Sequence, residues 1–322
     1  MKGISRLKLF CTGAITAMIF ATSSAIALDS IKVMIPANPG GGWDQTGRSL
    51  ASSMQKAGVV KNVQYENKGG AGGTIGLAQF VNTSKGDGSA IMMSGYVMVG
   101  GIILNKSAVN LDMVTPLARL TGEYEVVVVP ANSPIKTLKD LADKAKADPG
   151  SVSWGGGSAG GVDHILAGML LGAMGVDPSK VNYVPFAGGG EAQASILGGH
   201  TTVSIAGYGE YAAQIKAGKL RALGISADKR VAGIDLPTFK EQGLNVELFN
   251  WRGVFGAPGI TDAQKKELIA AIEKTAKSPI WKEVIAKNEW ADIYLSGDEF
   301  KKYLDDENKR IGDVLTKLNL KK

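Results

Sequence analysis

An α/β fold of two lobes is predicted by three features of the 322-residue sequence. Short β-branched or apolar runs alternate with amphipathic stretches of helical period, the pattern of strands joined by helical crossovers. Glycine makes up 43 of the 322 residues, nearly twice the usual share of about 7%. With no G-X-Y repeat, that excess belongs to turns and close backbone approaches. Two extended segments, 125–129 and 249–255, are placed to carry the chain from one lobe to the other and back. At 44% hydrophobic and 20% charged residues the chain can bury real cores and is neither disordered nor fibrous.

The elements follow in chain order. Lys2, Arg6 and Lys8 precede an apolar run from Leu9 to Ala21 and then Ala25-x-Ala27, the three parts of a secretory signal peptide. The run is short for a bilayer span. Cleavage after Ala27 would remove residues 1–27, including Cys11, the only cysteine, and lower the net charge from +6 to +3. An exported, periplasmic protein without disulfides or thiolate metal sites is expected, and one with little basic excess for nucleic acid.

Strands are predicted at 31–35, 62–66, 90–94, 124–129, 151–154, 181–184, 202–206 and 220–226, where β-branched and apolar residues cluster between turn formers. Helices are predicted at 44–56, 138–147, 162–174 and 212–217 from their apolar period. Alternation of this kind implies mainly parallel sheets. The last third reads as a strand at 246–254 and Lys/Glu-rich helices from 261, 279 and 297, packed on the outside of the first lobe. A chain that crosses twice and finishes on its first lobe forms a hinged body with an interlobe cleft, a shape suited to enclosing a small ligand.

Three glycine clusters stand between a strand and a helix: Pro39-Gly40-Gly41-Gly42-Trp43-Asp44, Gly155-Gly156-Gly157-Ser158-Ala159-Gly160-Gly161 and Ala187-Gly188-Gly189-Gly190-Glu191. Such loops present backbone N–H groups and the positive end of a helix dipole, which suits an anion with several negative groups. On this reading glycines 41 and 157 are equally necessary, while Arg48, a turn along the first helix, matters little. A fourth run, Gly69-Gly70-Ala71-Gly72-Gly73-Thr74, fits the scheme or is a bare turn. Asp44 is expected to cap or begin its helix and fix the loop.

Two sharper motifs fail on context. Gly155-x-Gly157-x-x-Gly160 matches the dinucleotide fingerprint, but the next strand ends in Tyr183-Val184-Pro185-Phe186 with no acid for a ribose. Gly156-x-Ser158-x-Gly160 matches a hydrolase elbow, yet His164 follows Ser158 in the next helix and His200 precedes a strand, so neither stands where a triad histidine belongs. The chain is therefore expected not to be an enzyme, with a Ser158 hydrolase as the weakest alternative. No cofactor is expected, and no metal, because two histidines and no mature cysteine offer no zinc ligand set.

The segments Pro36-Ala-Asn-Pro-Gly-Gly-Gly-Trp-Asp-Gln-Thr-Gly-Arg48, Trp154-Gly-Gly-Gly-Ser-Ala-Gly-Gly-Val-Asp-His164 and Val184-Pro-Phe-Ala-Gly-Gly-Gly190 resemble, in order and spacing, the tripartite tricarboxylate transporter receptors, the Bug-type periplasmic solute-binding proteins. The resemblance covers the whole chain after the signal. It implies a type II periplasmic-binding-protein fold, with lobe 1 formed by 28–127 plus 252–322 and lobe 2 by 128–251. It also implies a monomer that delivers a di- or tricarboxylate, citrate-like from its Trp43-Asp-Gln-Thr-Gly loop, to inner-membrane permease subunits. A periplasmic sensory adaptor of the same fold is the alternative.

Residue by residue, the resemblance implies a first carboxylate pocket from Asn38, Gly40, Gly41, Gly42 and Trp43, next to Asp44. Gly72, Gly73, Thr74, Ser94 and Tyr96 would line the first lobe. Gly157, Ser158, Gly161 and His164 would come from the second, joined by Ala187, Gly188, Gly189 and Tyr208. It further implies that backbone N–H groups and water, rather than arginine, hold the ligand.

Overall fold

The structure, a computed structural model, describes residues 28–320; the expected signal peptide lies outside them. The elements run β1 (Leu28–Ile35), α1 (Gly42–Lys56), β2 (Val60–Asn67), α2 (Thr74–Thr83), β3 (Ala90–Gly95), α3 (Tyr96–Leu104) and β4 (Thr115–Pro130). They continue with α4 (Leu138–Ala147), β5 (Ser153–Gly156), α5 (Val162–Ala173), β6 (Asn182–Pro185), α6 (Gly189–Leu197), β7 (Val203–Gly207), α7 (Tyr208–Lys216) and β8 (Leu220–Ile225). The chain then forms β9 (Phe249–Gly256), α8 (Asp262–Ala276), α9 (Pro279–Asn288), β10 (Ala291–Ser296) and α10 (Gly297–Lys317). The fold is mixed α/β, and every strand expected from β-branched clustering is present, though β4 is far longer than its apolar run 124–129.

That extra length organises the molecule. The first part of β4, up to Tyr124, pairs antiparallel with β9 in a sheet ordered β2-β1-β3-β9-β4, with β10 beyond. From Glu125 onward the same strand pairs with β7 and β8 in a second sheet that continues through β5 to β6. One strand thus belongs to both sheets, and Glu125 is where it passes from one to the other. The return passage lies alongside: Ser226 Oγ donates to Leu248 O (2.6 Å) and accepts from Glu125 N (2.9 Å), tying the two passages together.

The sheets are not mainly parallel. The outer pairs β1–β2, β1–β3, β5–β6 and β5–β7 are parallel, but β3–β9, β4–β9, β4–β7, β4–β8 and β4–β10 are antiparallel. Crossover helices give parallel neighbours only between strands that they connect. The two long strands at the centre instead meet partners distant in sequence, whose direction no local period encodes.

Hydrophobic residues of both sheets and their helices merge into one large buried cluster. The C-terminal helix α10 lies against the first sheet through Phe300, Leu304, Ile311 and Leu315, a helical face as expected. It is pinned where Trp251 Nε1 donates to Glu307 Oε2 at 2.8 Å, while Arg310 grips the same carboxylate at 2.6 and 2.8 Å.

Candidate binding site

Between the sheets lies a cavity of about 80 Å³, room for roughly half a dozen waters. One wall is the turn after β1 with the first turn of α1, including Gly41, Gly42 and Trp43. The facing wall is Gly157 and Ser158 before α5, with Ala187, Gly188 and Gly189 before and at the start of α6. Glu125 of β4, Asn250 and Arg252 of β9, and Glu210 from the first turn of α7 complete it.

The two walls touch. Asn38 N donates to Ala187 O at 3.3 Å and Asn38 Nδ2 to Glu191 Oε1 at 2.6 Å. Gly41 lies so near Gly189 that a Cβ on it would stand 2.8 Å from the Gly189 nitrogen. Gly42 leaves room for the guanidinium of Arg252, and Gly189 for the carboxylate of Glu210; a Cβ at either would overlap those groups.

Helices α1, α5 and α6 begin here at Gly41, Gly161 and Gly188, none with a side-chain cap. Their first-turn amides lack intrahelical partners and carry the positive ends of the dipoles. Each first turn also brings its own acid, and those acids take up loop amides. Gly40 N donates to Asp44 Oδ2 (3.1 Å), Gly157 N to Asp163 Oδ2 (2.6 Å) and Ala187 N to Glu191 Oε2 (3.2 Å). Glu210 draws on the amides of Gly42 and Gly207. Part of the donor capacity expected of the glycine loops is therefore already used by the protein itself.

The buried charges are unequal in number. Arg252, 2% exposed, is ion-paired with Glu123 and stands 3.6 Å from Glu210. Glu125 and Asp163 face each other nearby, Glu125 fully buried. Burial pushes the Glu125 carboxyl well above the usual carboxylate range, and the Asp163 and Glu210 charges push the same way. Burial raises Asp163 to about 6 and, aided by the Asp163 charge, Glu210 to about 8. Burial lowers Arg252 to about 9, still protonated at neutral pH.

Several expected residues support the walls rather than line them. Asp44 neither caps nor begins α1, which starts at Gly42 behind Gly41, but it does hold the first loop, accepting from Gly40 N, Arg48 Nε (2.8 Å) and Asn67 Nδ2 (2.9 Å). Gly72 packs on Gly101, and Gly73 lies beneath the Trp43 ring, both at positive φ (68° and 88°) that favour glycine. Thr74 Oγ1 donates to Ala71 O (2.9 Å) and Ser94 Oγ to Met98 Sδ (3.2 Å). Tyr96 is buried beneath Arg310, and Tyr208 belongs to a smaller core with Val126 and Ile225. Gly161 caps α5 from outside the cavity wall. His164 stacks on Tyr183 (centroids 4.3 Å apart) while its Nδ1 accepts from Gly160 N at 3.1 Å. Burial pulls that imidazole down to about 4, so it is neutral.

Sequence reasoning missed Glu125, Asp163, Glu210, Asn250 and Arg252. Two signals were available: a lone acid opening the run Glu125-Val-Val-Val-Val129, and a lone cation within Phe249-Asn-Trp-Arg-Gly-Val-Phe255. Charges set inside long apolar strands are seldom buried without a partner or a task.

A family model described as the tripartite tricarboxylate transporter family receptor matches residues 47–320. The chain belongs to that receptor family. Among relatives of these receptors, the protein in the gbd 5′ region of Cupriavidus necator is 29% identical over 296 residues, 91% of this chain and 88% of that one. A solved periplasmic transporter shares 27% identity and a TM-score of 0.81, covering 91% of this chain and 98% of its own. MatC of Rhodopseudomonas palustris with bound malate shares the fold at 23% identity and a TM-score of 0.78, covering 90% of this chain and 100% of that one.

The raised acids of this receptor make its stability depend on pH. Glu210 binds a proton more tightly folded than unfolded, so its contribution is full below the unfolded value near 4.5 and is lost as pH rises through about 8. Glu210→Gln should therefore raise the melting midpoint by roughly 3–6 °C at pH 8.5 and change it little near pH 4. Scanning calorimetry at both pH values checks this, and a variant less stable at pH 8.5 would contradict the assignment.

Proposed function

We propose that this chain is a periplasmic receptor that captures a small carboxylate between two lobes and passes it to the membrane permease of a tripartite tricarboxylate transporter. The observation that carries the reading is the cavity itself, walled from both sides by glycine-capped helix N-termini. Helix termini of this kind favour a carboxylate, and the malate bound by MatC supports the same ligand chemistry. The proposed lobes are 28–127 with 252–322, and 128–251, hinged where β4 and the return passage lie side by side. Export by the N-terminal signal, release after Ala27 and action as a monomer belong to the same proposal.

A third ionised carboxylate would have to sit against Glu125, Asp163 or Glu210. Hydrolysis at Ser158 finds no support, since the Nδ1 of His164 is taken by Gly160 N and its ring by Tyr183 rather than by Ser158.

A thermal-shift screen of about twenty organic acids tests the reading. A ligand at 100 times its Kd adds about 2.7 kcal/mol, a rise of roughly 5–10 °C for a chain of this size, and should be recovered unchanged. No shift with any acid, or a chemically altered ligand, would reject it.

A further inference from the structure

Among the buried side-chain atoms that line the cavity, those left without partners are carboxyl and amide oxygens. Asn250 spends its Nδ2 on Glu125 Oε1 at 2.8 Å, and this leaves Asn250 Oδ1, in a side chain 5% exposed, without a donor. Glu125 Oε2 has no partner but Asp163, with the proton of that pair on Glu125, the more strongly raised of the two. Both residues line the cavity, as do Asp163 and Glu210. Arg252 is the cation there, and Glu123 already occupies it from behind. Unmet acceptors in a buried site cost free energy until a donor arrives. A donor that also carries positive charge would match both the unpaired oxygen and the acids around it.

We infer that the ligand is a short zwitterion: a carboxylate received by the first turns of α1 and α6, and an ammonium group seated against Glu125, Asn250 and Asp163. This rests on the receptor reading and deepens it by naming what the second end of the ligand carries. A dicarboxylate would set its far charge against Asp163, the acid that burial raises least of the three. An ammonium supplies three donors where acceptors stand unpaired, and it favours the ionised form of the acids around it. The groups facing that end are Glu123 and Glu125 from β4, Asp163 from α5, Tyr183 from β6, Glu210 from α7 and Arg252 from β9.

Matched pairs that differ only at one end decide it. Succinate is compared with 4-aminobutanoate, and glutarate with 5-aminopentanoate, by calorimetry on the mature protein at pH 7 in two buffers of different ionisation enthalpy. The amino acids should bind at least tenfold tighter than their dicarboxylate partners and release protons to the buffer. Glu125→Gln should erase that preference, and Asp163→Asn, carrying the same amide replacement on another element, should reduce it. Dicarboxylates binding as tightly or more so, with proton uptake, would overturn the zwitterion assignment and leave the carboxylate receptor standing. No binding by either series at millimolar concentration would overturn both.

Discussion

Gly41→Val should abolish ligand binding, with at least a hundredfold loss of affinity in calorimetry, about 2.8 kcal/mol, while the unliganded protein melts within a few degrees of the parent. The reason is placement rather than backbone strain. Gly41 has φ −92°, an ordinary value for any residue, but its Cβ would stand 2.8 Å from the nitrogen of Gly189 across the cavity. A valine there holds the two walls apart without disturbing either sheet. Gly157→Val should be milder, since its added carbon meets only the Asp163 carboxylate at 3.2 Å. The two glycines, equivalent in the sequence, are thus separated by what lies opposite each. Equal losses at both positions, or a tight complex with Gly41→Val, would show that binding does not require the walls to meet as they do here.

Arg252→Met is expected to cost about 3–5 kcal/mol of folding stability, because it strands Glu123 as an uncompensated charge in the interior. For a domain of this size that is a fall of roughly 10 °C in the melting midpoint. Protonation relieves a stranded carboxylate, so the deficit should be smaller at pH 5 than at pH 8. Pairing the change with Glu123→Gln should recover most of the loss, since removing both partners avoids the unpaired charge. Urea titrations of the single and double variants at both pH values measure this. A single variant as stable as the parent would mean that solvent reaches Glu123 and the pair is not a buried one.

How much of this was legible beforehand depends on range. Strands such as β1, β3 and β7 announce themselves through runs of five or six residues, and the glycine loops that wall the cavity stand between strand and helix as the sequence suggests. Helices α2, α3 and α6 were harder to see. Tyr96–Leu104 is apolar nearly all round and buried, so it lacks the polar face that gives a helix its period. The acids of the cavity were illegible for another reason. Glu125, Asp163, Glu210 and Arg252 lie on four separate elements, brought together by the antiparallel pairing of β4 with β7 and β9 and the parallel pairing of β5 with β7. Each looks in isolation like a helix cap or a stray charge.

Glu125 sits at the residue where β4 leaves one sheet for the other. A side chain rooted in a joint cannot be redesigned as though it were rooted in a wall. If the lobes turn as proposed, the backbone torsions that take up the motion at this crossing also aim the Glu125 carboxyl, so the choice of ligand and the ease of movement would meet in a single residue. A lineage shifting toward new nutrients would find the glycine loops freely adjustable but this position constrained, because each trial of a new specificity there is also a trial of a new mechanical coupling.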